Sequence, residues 1–118
     1  MCRQMFRGRN MALIVKKFGG SSVATTEKIM NVAKRVLSEK QPGDQIVMVV
    51  SAMGDTTDNL ITLANGITKD PYQYAREMDM LLTTGEQVSI ALLAMAFKSL
   101  GQPAISLTGP MAGMRTDS

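Results

Sequence analysis

Histidine and tryptophan are both missing from this 118-residue chain, and cysteine occurs once. Without histidine, imidazole metal centres and serine–histidine catalysis are excluded within these residues. The lone Cys2 cannot form an internal disulfide, which suits a reducing compartment, and a cytoplasmic location is expected. Aromatic residues make up 4% of the chain, too few for the stacking platforms that hold RNA or single-stranded DNA. No nucleic-acid partner is therefore expected. No unbroken apolar run reaches the roughly 18 residues needed to span a bilayer, so no membrane partner is expected either.

A net charge of +3 suggests a polyanion partner until the charges are located. Arg3, Arg7 and Arg9 all fall in Met1–Asn10, which holds no acid, and from Met11 onward 10 basic residues balance 10 acidic ones. The basic character belongs to the leading decapeptide. That segment lacks the apolar core of a secretory signal. It is expected to be an extension or a disordered arm, with the domain proper running over residues 11–118. No repeat, low-complexity tract or linker divides that stretch, and 45% hydrophobic with 19% charged residues is the profile of a soluble globular domain.

What is present is an alternation of strand and helix patterns. Ala12–Phe18 reads as a first strand whose Leu13, Ile14 and Val15 are continuously apolar, as in a parallel strand buried on both faces. Ile29, Val32, Ala33, Val36 and Leu37 then recur at helical spacing, with Thr25 or Thr26 as N-cap, and Gln41-Pro42-Gly43-Asp44 ends the helix. Ile46–Val50 is a second apolar strand, completing a right-handed βαβ unit. A further helix, capped by Thr57 or Asp58, carries Leu60, Leu63, Ala64 and Ile67 on one face. Asp70-Pro71 opens another, with Ala75, Met78, Leu81 and Leu82 as its stripe, and Thr83-Thr84-Gly85-Glu86 interrupts the pattern. A last helix over Gln87–Leu100 has almost no polar face, so it is expected between layers or at a subunit interface. Met78, Met80 and Met95 are read as packing. Gly101 ends that helix, and Ala104–Leu107 is expected as a third strand before Thr108-Gly109-Pro110.

In an α/β sheet, ligands gather at the carboxyl ends of the strands. Here those ends are Lys17-Phe18-Gly19-Gly20-Ser21-Ser22 and Ser51-Ala52-Met53-Gly54-Asp55-Thr56-Thr57, which fall on one rim. A strand, a glycine turn and a helix can aim backbone N–H groups at an anion, and Lys17 adds a full positive charge; the same residues also make an ordinary βα turn. Glu86 stands at the mouth of the apolar helix, either as an N-terminal cap or as a ligand for an ammonium group.

Three segments in this order resemble the amino-terminal part of the aspartate kinases, within the amino acid kinase family: Val15–Val23, Val50–Asp58 and Arg76–Glu86. The resemblance runs from about Met11 to the end. It implies a three-layer α/β/α sandwich with a mainly parallel sheet, truncated here. It also implies transfer of the ATP γ-phosphoryl group to the side-chain carboxylate of L-aspartate, giving 4-phospho-L-aspartate, at the entry to lysine, threonine and methionine biosynthesis. By position, Lys17 matches the lysine that steadies the transferred group, and Lys17, Phe18, Gly19, Gly20 and Ser21 match the ATP-phosphate side, with Ser22 as a further donor. Ser51, Thr57 and Glu86 match positions facing aspartate. Mg²⁺ is implied by the ATP chemistry, with no metal-ligand set among these residues, and the parent enzyme is expected to be a homo- or hetero-oligomer. The nucleotide-binding half, a second glycine-rich loop and the regulatory domains of that family have no counterpart in the chain, so the isolated piece is expected to be inactive. The alternatives are another amino acid kinase or a non-catalytic binding or dimerisation module of the same fold.

Overall fold

The computed structural model describes residues 2–8 and 11–108. A three-stranded sheet in the order β1-β2-β3 is built from Cys2–Gly8, Met11–Phe18 and Gln45–Val50. The helices are α1 (Thr26–Glu39), α2 (Thr56–Ile67) and α3 (Ala75–Ser99), with short 3₁₀ turns at Gly20–Val23 and Pro71–Gln73.

β2 and β3 pair in parallel, Ile14 opposite Ile46 and Phe18 opposite Val50, and α1 makes the crossover, so the expected βαβ unit is present. On the inner face Phe18 joins Val23, Ile29, Val32, Ala33, Val36 and Val50, together with Leu93, Ala96 and Phe97 of α3, and Ile14 is buried on the same face. The α1 stripe is the one its spacing predicts. Of the two threonines offered as its cap, Thr25 takes the role, its Oγ1 accepting from the Lys28 N–H at 3.1 Å. Of the three layers expected, the described residues supply the sheet and one helical layer. Leu13, Val47 and Val49 on the opposite face remain exposed, with Val47 at 47%.

Several expectations need correction. The leading segment is a strand rather than a disordered arm: Cys2–Gly8 pairs antiparallel with β2, Gly8 opposite Met11 and Cys2 opposite Lys17. An edge of β2 left open would carry a row of unpaired N–H and C=O groups, and a proline-free segment two residues upstream satisfies them. The Thr83-Thr84-Gly85-Glu86 interruption is no break, since α3 runs unbroken through it for 25 residues. Thr83 and Thr84 donate their hydroxyls to the carbonyls of Met80 (2.9 Å) and Leu81 (2.6 Å), so their polar groups are satisfied within the helix. Asp70-Pro71 opens only the 3₁₀ turn, and α2 starts at Thr56, placing Thr57 and Asp58 inside its first turn instead of at its cap.

Ala104–Leu107 forms no strand. Ala104, Ile105 and Leu107 instead line an apolar groove of about 550 Å³ together with Ile46, Met48 and Val50. The apolar faces of the helices are less covered than their patterns imply: Leu63 and Ile67 of α2 and Met80, Val88 and Met95 of α3 are exposed, and only Met78 of the three methionines is buried. With its two halves joined, α3 is long and apolar enough to cross a membrane by length and composition. Its Leu93, Ala96 and Phe97 instead pack into the core beside α1. The Gly109-Pro110 turn and the residues to 118 lie outside the described residues.

Candidate active site

The rim is assembled by two backbone hydrogen bonds between the segments that leave the parallel strands. The Ser51 N–H donates to the Phe18 carbonyl at 3.2 Å, and the Gly54 N–H donates to the Gly20 carbonyl at 3.0 Å. The first continues the β2–β3 ladder past the strand ends; the second ties the two loops together. The contact is close enough to dictate residue type. A Cβ on Gly20 would stand 2.7 Å from the Ala52 carbonyl oxygen, a distance real side chains do not reach. Gly54, at φ +44°, packs against Ala24 on the other side of the same junction.

Gly19 differs from its neighbour. Nothing lies within 4 Å of where its Cβ would be, so the backbone there is open to an approaching group. The sequence treats the two glycines as one phosphate-side pair; in the structure Gly20 is needed for loop packing, and Gly19 is the accessible one. The Ser22 N–H closes the 3₁₀ turn on the Gly19 carbonyl at 3.1 Å, and Lys28 Nζ donates to the Ser21 carbonyl at 3.2 Å. Lys28 thus stands as a second cation beside the first loop, which motif matching did not single out.

α3 reaches the rim at Gly85. Its missing side chain lets the helix sit against the second loop, a Cβ there meeting Ala52 Cβ at 3.0 Å and Thr56 Cγ2 at 3.1 Å. The turn of α3 carrying Glu86 is thereby brought against the segment carrying Ser51 and Thr57. Glu86 lies eleven residues into α3, so it is not an N-terminal cap. Lys17, Ser21, Thr57 and Glu86 are exposed, Ser51 and Gly20 half-buried, and Phe18 is buried in the core. Phe18 therefore offers a ligand its backbone only. The rim is polarised: Lys17 and Lys28 belong to the first loop's side, while Asp55, Asp58 and Glu86 belong to the second loop and the helices behind it. Such an arrangement can hold an anion beside a group that carries both an ammonium and a carboxylate.

The two consecutive lysines of β2 have opposite fates. Lys17 points to the exposed face, whereas Lys16 is 1% exposed and its Nζ donates to Glu39 Oε2 at 2.8 Å. Glu39 also meets Arg35 Nε at 3.5 Å, and Lys16 foremost, then Arg35, holds its carboxyl below the ordinary 4.5. The motif reading missed this pair, although period-2 alternation already groups Lys16 with Ile14 and Phe18. Among the described residues no cluster of three metal-ligating side chains occurs.

The glycine loop, the second rim loop and the Gly85 turn of α3 thus converge at the carboxyl ends of the two parallel strands of a βαβ unit. A family model described as the amino acid kinase family matches residues 12–116, and the chain belongs to that family. Among curated relatives it is 56% identical over 108 residues to aspartokinase 2 of Bacillus subtilis (strain 168), covering 92% of this chain and 26% of the relative. It is 59% identical over 107 residues to the aspartokinase of Bacillus sp. (strain MGA3), covering 91% and 26%. A crystal structure of aspartate kinase from Synechocystis superposes with a TM-score of 0.76 at 59% identity, covering 82% of this chain and 16% of that one. The chain thus spans about a quarter of the length of the curated relatives it matches.

Proposed function

We propose that this chain is the acceptor-side portion of an aspartate kinase, which transfers the ATP γ-phosphoryl group to the side-chain carboxylate of L-aspartate. The observation that carries this reading is the convergence of three chain segments on one rim through the Gly54–Gly20 hydrogen bond and the approach of Gly85 to Ala52 and Thr56. The identities above, all to aspartokinases, support it.

The chemistry brings two anions together in line. A carboxylate oxygen of aspartate attacks the γ-phosphorus, the bond to the β–γ bridging oxygen breaks, and 4-phospho-L-aspartate and ADP leave. Little covalent work falls to the protein, so positioning and charge neutralisation dominate. Lys17 is assigned to the transferred group, offsetting the charge that the carboxylate and phosphoryl oxygens share. The open backbone at Gly19, with the Phe18 and Gly20 backbone and the Ser21 and Ser22 hydroxyls, is assigned to the phosphates. Glu86 is assigned to the α-ammonium of aspartate, and the Ser51 and Thr57 hydroxyls to its carboxylates. On this reading Mg²⁺ comes with the nucleotide.

A substrate panel on the intact protein tests the assignment. ADP release driven by L-aspartate, and not by L-glutamate or N-acetylglutamate, is the expected outcome. A preference for either of the other two would transfer the site to a different member of the family.

A further inference from the structure

β2 presents two identical side chains in succession, and only one can face the rim. Up to Val15 its own apolar pattern does not choose between them. Leu13 and Val15 lie on one face and Ile14 on the other, so a slip by one residue would exchange apolar for apolar while swapping Lys16 and Lys17. Two features break the tie. Phe18 is buried on the inner face, and on that same face Lys16, 1% exposed, is bonded to Glu39 at 2.8 Å. Glu39 is itself braced by Arg35 one helical turn back, at 3.5 Å. The pair joins the strand that carries the site to the last turn of α1, across a sequence separation of 23 residues.

We propose that the Lys16–Glu39 ion pair is a register lock on β2: by holding Lys16 inside, it fixes Lys17 as the lysine presented at the rim. Lys16 and Glu39 are positioning residues that touch no substrate. The lock rests on the reading of Lys17 as the phosphoryl-steadying lysine only for its consequence in catalysis; the choice of lysine is itself a structural matter.

Competitive labelling of amines in the intact protein, read by peptide mass spectrometry, separates the two. Lys17 should react faster than Lys16 by on the order of tenfold to a hundredfold, the range set by one charge-assisted hydrogen bond. In Glu39→Gln the inner lysine loses its carboxylate, and Lys17 reactivity should fall as that of Lys16 rises. The double variant Lys16→Met with Glu39→Gln should restore Lys17 to its original rate, because an apolar side chain at position 16 again prefers the inner face. Equal reactivity of the two lysines in the unaltered protein, or an unchanged Lys17 rate in Glu39→Gln, would overturn the lock. If Glu39→Gln fails to fold, a double variant that also fails to recover folding and Lys17 labelling overturns it equally. The expected labelling pattern in a protein without aspartate-dependent turnover would support the lock and count against the kinase reading alone.

Discussion

Gly19 and Gly20 are adjacent and chemically identical, yet their surroundings give them different tasks. Gly20 sits where a Cβ would meet the Ala52 carbonyl oxygen at 2.7 Å, so Gly20→Ala must push two backbones apart. The expected loss is about 1–3 kcal/mol of stability, as for other overpacked sites, measured by denaturant titration. Gly19→Ala meets open space and should leave stability nearly unchanged while raising the apparent KM for ATP. Equal stability of the two variants would contradict this division of roles. The place of Lys17 at the end of a strand before a glycine turn was legible from the sequence alone, because that order is a one-dimensional signal. The distinction between the glycines was not, because it depends on a loop more than thirty residues away in sequence.

The elements were legible in proportion to how far their stability is local. α1 has its cap, its stripe and its stop signal within its own sequence, and it forms as the spacing predicts. The continuity of α3 was hidden because Thr83, Thr84 and Gly85 look like a breaker until the threonine hydroxyls are seen bonding back into the helix. β1 was hidden because its stability lies in the edge of β2 that it covers. The link between β2 and α1 carries a pH signature. The Glu39 carboxyl, held below 4.5 mainly by Lys16, is less readily protonated in the folded protein than in the unfolded chain. Its contribution to stability is complete above its unfolded pKa and is lost as pH falls through the lower folded value. Acidification below about pH 4.5 should therefore lower the thermal midpoint, with a shallower slope in Glu39→Gln. Identical slopes in the two proteins would show that the pair contributes nothing to acid stability.

At the scale of the whole molecule, the described residues leave apolar surface uncovered: Val47 and Val49 on the outer sheet face, and Leu63 and Ile67 on α2. Among the described residues β3 has no strand on its far edge, and Ala104–Leu107 stands across a groove from it. Residues 1–118 expressed alone should therefore self-associate with rising concentration, which sedimentation velocity would register, and Val47→Lys should reduce the effect. A concentration-independent monomer would contradict this. The same residues should show no aspartate-dependent ADP release alone, since they span about a quarter of the length of the aspartokinases they match. The proposed role of the rim at the carboxyl ends of β2 and β3 is to bind aspartate and to steady the phosphoryl group. Its most direct test is steady-state kinetics of the intact protein and two variants. Lys17→Ala should lower kcat by about a hundredfold or more at an unchanged thermal midpoint, and Glu86→Ala should act mainly by raising the KM for aspartate. Near-normal kinetics in both variants would show that the reaction takes place elsewhere.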